Sequence, residues 1–281
     1  MIVVTGATGN VGRPLLAALS AAGADVTAVS RHPLAGDTPK GARHVQADLG
    51  KAESVRGALK GADALFLLLA GELLGGGESP EALLTVAKEA GVRKVVLLSS
   101  QIIATRPDSV SHSRLREFED AVRGSGLEWT ILRAGGFASN AFAWADSVRS
   151  DRTVLAPFGD VALPVVDPTD IAEVAAVALR EEGHAGQTYE LTGPIAVTPR
   201  EQTAALAEVL GEQVAFVELT REAAHAHLSQ FMPPGVVEGT LDILGLPLPA
   251  EQTVSPDVEK VLGRPAAPFS AWVARSLPAF K

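Results

Sequence analysis

The chain has 281 residues, 47% hydrophobic and 20% charged, a globular composition with material for one large core or two smaller ones. Twenty-four Lys and Arg against 33 Asp and Glu leave a net charge of −9, which repels phosphate backbones and anionic lipid and argues against nucleic-acid or membrane partners. Cysteine is absent, which excludes disulfides, thiolate nucleophiles and Cys-bound metals; with no apolar run near the ~20 residues that span a bilayer and no basic-then-apolar leader, a cytoplasmic protein is expected.

Short apolar runs at 2–4, 26–29, 44–45, 64–69, 94–98 and 129–132 read as strands, apolar on both faces as a helix-covered parallel sheet requires. After the first, Val11, Leu15, Leu16 and Leu19 recur at spacings of three and four, and Gly23 suits the helix end. Ser79-Pro80 has the form of an N-cap followed by a first-turn proline, and Gly91 closes that helix. The alternation predicts an α/β fold, a Rossmann-type doubly wound parallel sheet. After Leu132 the rhythm changes. Residues 134–149 read as helical and 154–166 as a hairpin-like excursion turned at Phe158-Gly159-Asp160. Asp167 caps a helix running to about Arg180, 188–191 returns as a late strand, Thr198-Pro199-Arg200-Glu201 has capping-box spacing, and 214–219 alternates like a half-buried strand. Beyond Thr220, prolines from Pro233 to Pro268 break the chain into short helices. The expected organisation is a Rossmann domain over 1–194, with a lobe excursion at about 134–166, and a smaller, mostly helical C-terminal lobe over 195–281.

The segment Gly6-Ala7-Thr8-Gly9-Asn10-Val11-Gly12 joins the first strand to the first helix. Glycines at these spacings allow a sharp exit from the strand, close approach of backbone to a pyrophosphate, and tight helix–strand packing, while the helix N-terminus offers free N–H groups. The pattern alone is weak; its strand–loop–helix setting makes it a dinucleotide loop. An acidic residue after the second strand would hold the ribose of NAD, but Ser30-Arg31-His32 stands there and nothing acidic follows before Asp37. A guanidinium matches a 2′-phosphate, so NADP(H) is favoured over NAD(H), unless Arg31 is only a solvated charge. Asp48 is either an adenine contact or a helix N-cap.

These residues, with Ala47-Asp48-Leu49, Leu97-Leu98-Ser99-Ser100, the run from Ser125 to Arg133, Gly136-Phe137-Ala138-Ser139-Asn140, the run from Asp167 to Ala172 and that from Thr188 to Gly193, make the chain resemble an atypical short-chain dehydrogenase/reductase of the NmrA-like group over nearly its whole length. Ala134 departs from the proline usual there. The resemblance implies a cofactor along the carboxyl ends of the strands. Contacts are then expected from Leu49, from Leu68, Leu69 and Ala70, from Ser99 and Ser100, and from Gly135, Gly136 and Phe137. Members of the group reduce quinones, carbonyls and related electron-poor compounds; others bind NADP as redox sensors and catalyse nothing.

The Tyr-x-x-x-Lys pair of most short-chain dehydrogenases is excluded by counting. Tyr189 is the sole tyrosine, position 193 is glycine, and no lysine lies between Lys94 and Lys260. His112 falls near the family's acid/base position and is either a general acid or an ordinary polar residue at a helix start. Phe137, Phe142 and Trp144 could wall a flat substrate, with Asn140 orienting an oxygen; for Phe142 and Trp144 a place in the core is the other reading. His225 and His227 diverge on a helix and have no metal-ligand companions, so no metal is expected. Ser99-Ser100 lacks a nucleophile elbow, which argues against a hydrolase. The expectation is an NADPH-dependent reductase of a small electron-poor substrate, a quinone or conjugated ketone, by direct hydride transfer. The alternative is a non-catalytic NADP(H)-sensing regulator.

Overall fold

The computed structural model describes residues 1–32, 42–69, 71–230, 232 and 234–281. From the N-terminus, β1 (Ile2–Thr5), α1 (Gly12–Ala21), β2 (Val26–Ser30), β3 (Ala42–Gln46), α2 (Arg56–Leu59) and β4 (Ala64–Leu68) come first. Next are α3 (Pro80–Glu89), β5 (Lys94–Ser100), α4 (Ile102–Thr105), α5 (Ser113–Gly124) and β6 (Glu128–Ala134). Then come α6 (Ala145–Asp151), β7 (Thr153–Pro157), α7 (Pro168–Arg180), β8 (Gln187–Leu191), α8 (Pro199–Leu210) and β9 (Ala215–Leu219). The chain ends with α9 (Arg221–Leu228), α10 (Pro234–Gly245), α11 (Asp257–Leu262) and α12 (Phe269–Ser276).

Seven strands form one sheet in the order β3-β2-β1-β4-β5-β6-β8, every neighbouring pair parallel. Parallel neighbours need long crossovers, and the helices that supply them cover both faces. Strand residues divide by their period of two. Val4, Phe66, Val96 and Leu132 pack with Leu15, Leu16 and Leu19 of α1 and Ile171, Val174 and Ala178 of α7. Val3, Leu65, Leu97 and Ile131 pack with Leu83 and Leu84 of α3 and Phe118 and Val122 of α5. β3 departs from the two-faced apolar expectation: it is an edge strand, with Arg43 and Gln46 exposed. The helix starts read from sequence are present, with the Ser79 hydroxyl accepting from Ala82 N (3.2 Å), Asp167 Oδ1 from Thr169 N (2.8 Å) and a Thr198–Glu201 capping box on α8.

Two expectations are corrected. Residues 134–149 are not one helix: β6 runs to Ala134, a 3₁₀ turn spans Ala138–Trp144, and only then does α6 begin. Residues 154–166 are not a hairpin. β7 pairs in parallel with β9, Leu155 opposite Val217, and parallel strands cannot be joined by a tight turn. The segment after β7 instead makes single bridges, Leu163 to Val197 and Val166 to Phe137. β7 and α6 share a core with α8 and α12, built on Val148, Val154, Leu206, Trp272 and Val273.

Charged groups fasten the C-terminal segment to α7. Asp170, buried, accepts from Ala267 N (2.7 Å) and Arg264 Nη2 (2.8 Å), and Arg275 bonds Asp167. Burial pushes the Asp170 carboxyl above its ordinary pKa despite those donors. A second buried carboxylate, Glu119 of α5, takes Ser99 Oγ (2.6 Å), Arg133 Nη2 (2.7 Å) and Arg123 Nη2 (2.9 Å). Burial alone would raise its pKa, but Arg133, Ser99 and Arg123 outweigh it and hold the group low.

Candidate functional site

All strands of the sheet run the same way, so the glycine loop and the loops after β2, β3 and β4 open on one edge. There they enclose a cleft of about 340 Å³. Gly6, Thr8 and Gly9 line one side of it, Ser30, Arg31 and His32 another, and Asp48, Leu49 and Lys51 a third. Leu68, Leu73, Gly76 and Gly77 close it.

The loop is set by its backbone. Thr5 Oγ1 donates to Phe66 O (3.0 Å) and accepts from Leu68 N (2.9 Å), which ties the end of β1 to β4. Gly6 then takes a φ of +65°, and a Cβ there would stand 2.9 Å from Leu68 Cδ2. At Gly12 a Cβ would fall 2.2 Å from Gly6 O and 2.7 Å from Ala7 Cα, so the helix meets the loop with no room for a side chain. α1 begins after Val11 with no side-chain cap and no acidic residue in its first turn. Its N-terminus therefore keeps its positive end for an anion. These are the features a dinucleotide pyrophosphate requires, and the residues present fit that group.

Past β2, Gln46 Nε2 holds Arg31 O (2.8 Å), and Ser30 Oγ bonds both His32 O (2.5 Å) and His44 Nε2 (2.8 Å). This network places Arg31 and His32 at the cleft wall. Asp48 Oδ1 accepts from Gly50 N (2.9 Å), so its side chain closes a turn. It caps no helix: the next turn, Ala52–Val55, starts after Lys51 with no side-chain cap. His32, Lys51, Leu73, Gly76 and Gly77 line the cleft without having been singled out in the sequence. Lys51, three residues past Asp48, and the glycine triplet 75–77 were the available signals.

The cleft ends at β4. Ser99, Ser100, Gly135, Gly136 and Phe137 do not line it. The Ser99 hydroxyl is committed to Glu119, which leaves that residue only its backbone for a ligand. Ser100 Oγ accepts from Ile102 N (3.2 Å), Gly135 N donates to Leu191 O (2.9 Å), and Phe137 bridges Val166. Asn140 is exposed. Leu69 is buried after β4, while Ala70 lies outside the described residues. Phe142 meets Trp272 at 4.9 Å between ring centroids and Phe280 at 6.1 Å, and Trp144 packs against the cluster that contains Val148, Val154 and Trp272. Phe142 is exposed and Trp144 half-buried, and their contacts lie with the core that joins the 134–157 segment to the C-terminus.

His112 ends a 3₁₀ turn, Val110–His112, that leads into α5. Its Nδ1 bonds Ser111 Oγ (2.8 Å), which bonds Ser109 Oγ (2.9 Å). Burial, with help from the Arg116 charge, lowers its pKa below the ordinary 6.5. At neutral pH the imidazole is thus uncharged and poorly suited to give up a proton. Tyr189 is buried in β8, its hydroxyl on His184 Nδ1 (2.9 Å), and burial raises its pKa. His225 Nε2 pairs with Glu238 Oε1 (3.2 Å).

A family model described as NAD(P)H-binding matches residues 6–182, more than half of the chain. The chain belongs to the NAD(P)H-binding family. Its fold is shared by an NmrA negative transcriptional regulator, which superposes with a TM-score of 0.74 at 20% identity, covering 99% of this chain and 95% of that one. A (4-alkanoyl-5-oxo-2,5-dihydrofuran-3-yl)methyl phosphate reductase of Streptomyces griseus is 40% identical over 287 residues, covering 100% of this chain and 99% of its own. An NAD(P)H azoreductase of Xenophilus azovorans is 32% identical over 288 residues, again 100% of this chain and 99% of its own. Among solved structures, an NADPH-dependent quinone oxidoreductase of Escherichia coli complexed with NADPH superposes with a TM-score of 0.81 at 26% identity, covering 99% of this chain and 100% of that one. The family binds NAD(P)H, the ligand that the glycine loop and its cleft fit.

Proposed function

We propose that this member of the NAD(P)H-binding family is an NADPH-dependent reductase of a small, electron-poor, conjugated substrate, a quinone or a conjugated ketone or lactone. It is an NAD(P)H-dependent oxidoreductase, and the observation that carries the reading is its end-to-end similarity to two reductases at 40% and 32% identity. The substrates those relatives and the quinone oxidoreductase are named for, an acyl-dihydrofuranone, azo compounds and quinones, share a conjugated acceptor. Such an acceptor delocalises the charge it gains and can be protonated by water. That suits a site without a Tyr–Lys pair, whose one candidate acid, His112, is neutral at pH 7.

Residues 6–12 would hold the pyrophosphate on the N-terminus of α1, and Arg31, flanked in the cleft by His32 and Lys51, would take the 2′-phosphate. Asp48 and Leu49 would face the adenosine, Leu68 and Leu69 the middle of the cofactor, and the backbone at Ser99, Ser100, Gly135 and Gly136 the nicotinamide half. Bound NADPH supplies the hydride. The chain's part is to bind, orient and shield the acceptor, with Phe137 and Asn140 as the substrate contacts. On this reading 1–194 carries the cofactor and 195–281 closes over the substrate. NADPH oxidation followed at 340 nm against a panel of quinones, azo dyes and unsaturated lactones tests it. Turnover of several panel members is expected; tight NADPH binding without turnover of any would overturn it in favour of a sensor.

A further inference from the structure

Arg116 of α5 has no visible task. Its Nε and Nη2 are buried without a hydrogen-bond partner, although the residue as a whole is only half-buried. Among the described residues the acids of the same helix are engaged elsewhere. Glu117 holds Arg114 (2.6 Å), Glu119 holds Arg133 and Arg123, and Asp120 lies 3.8 Å from Arg123. An arginine cannot shed its charge, and leaving a guanidinium desolvated and unpaired is costly, so native proteins rarely do it without a ligand or water to complete the site.

Its position points the same way. α5 carries the crossover from β5 to β6, so its first turns lie at the carboxyl edge of the sheet, where the dinucleotide cleft also opens. Long helical side chains lean toward the helix N-terminus, so Arg116 reaches back over His112, one turn earlier. The electrostatic influence of Arg116 on His112 agrees. On one side, Arg114 Nη2 bonds Glu78 O, next to Gly76 and Gly77 of the cleft wall. On the other, Ser111 Oγ presses on Gly239 of α10, where a Cβ would stand 2.9 Å away. Arg116 thus belongs to a helix start that is bounded by the cleft wall through Arg114 and by α10 through Ser111.

We infer that Arg116 is a substrate-anion subsite: its guanidinium, with Nε and Nη2 left without partners, receives a phosphate monoester carried by the conjugated substrate. The phosphate class follows from the planar fork of donors, which matches a tetrahedral dianion, and it rests on the reductase reading through the phosphorylated furanone for which the Streptomyces griseus relative is named. The subsite is separate from Arg31, which lines the dinucleotide cleft just after β2, whereas Arg116 is not among the residues of that cleft.

The test needs no turnover. Benzyl phosphate, benzyl alcohol and phenylacetate are titrated by calorimetry into protein saturated with NADPH, so that the cofactor's own phosphate sites are filled. Benzyl phosphate should bind at least about tenfold more tightly than the other two. Arg116→Gln should remove that preference while NADPH affinity stays unchanged, and Arg116→Lys should restore part of it. Equal binding of benzyl phosphate and benzyl alcohol by the unmutated protein overturns the subsite, as does a preference that survives Arg116→Gln or is lost together with NADPH binding. Phenylacetate binding as tightly as benzyl phosphate overturns the phosphate assignment. A benzyl phosphate preference in a protein that reduces nothing in the panel sinks the reductase reading alone.

Discussion

Alanine placed at Gly12 and at Gly9 should separate what the glycine loop does for the fold from what it does for the ligand. At Gly12 the new methyl meets backbone on two sides, 2.2 Å from Gly6 O and 2.7 Å from Ala7 Cα. Ordinary contact needs more than a further ångström, and neither obstacle is a side chain that can rotate away. Overpacking of this kind costs about 1–3 kcal/mol. Alanine's better helix propensity returns at most about 1 kcal/mol, and less in a first turn. The balance is a loss of roughly 1–2 kcal/mol, or about 2–8 °C in Tm for a chain of this size. At Gly9 the methyl meets only Gly6 O at 3.3 Å, so the fold should tolerate it with a change under about 1 kcal/mol. Gly9 lines the cleft, however, and a Cβ there would stand where the pyrophosphate must approach backbone. Gly9→Ala should melt within about 3 °C of the unmutated protein yet lose about tenfold or more in NADPH affinity. Thermal melts and fluorescence titration with NADPH read the two effects separately. A Gly12→Ala protein with an unchanged Tm, or a Gly9→Ala protein with unchanged NADPH affinity, would refute the reasoning.

Two further outcomes are expected. Arg31→Ala should weaken NADPH by about tenfold to a hundredfold while leaving NADH nearly unaffected, because only the former carries the 2′-phosphate; equal weakening of both cofactors on titration would remove Arg31 from that role. His112→Gln should keep quinone turnover within a few-fold, and it should also flatten the dependence of stability on pH. The folded imidazole titrates below the unfolded one, so as pH falls past about 6.5 the unfolded chain takes up its proton first. The stability that the neutral imidazole contributes is therefore present above pH 6.5 and lost as pH falls toward the folded value. Melts at pH 7.5 and 5.5 should differ less in the variant, with a residual slope from His184, whose pKa burial also lowers. An unchanged slope would show that His112 is not held neutral by the fold.

The sheet and its cofactor loop were legible in the sequence because both depend on local regularities. Strands buried on two faces read as uninterrupted apolar runs, helix starts carry caps, and Gly6, Gly9 and Gly12 are spaced by what backbone can do within seven residues. The missing Tyr–Lys pair was legible by counting alone. Pairings between distant segments were not. Leu155 of β7 and its partner Val217 of β9 are 62 residues apart and find each other only through a shared core, so a turn at Phe158-Gly159-Asp160 resembled a hairpin that does not form. The same holds for side chains whose role depends on which face they turn to. Phe142 is an aromatic at a plausible site spacing until Trp272 and Phe280, from the far end of the chain, take its ring. Ser99 stands near the carboxyl end of β5, where a cofactor contact was expected, yet its hydroxyl goes to Glu119. His112 is an ordinary histidine in sequence; burial and Arg116 decide its charge. The sequence by itself determined the fold class, the dinucleotide loop and the chemistry that is absent. Tertiary structure decided which polar groups are already satisfied and which, like Arg116, are left for a ligand, because that depends on partners brought together from across the chain and on the water their packing excludes.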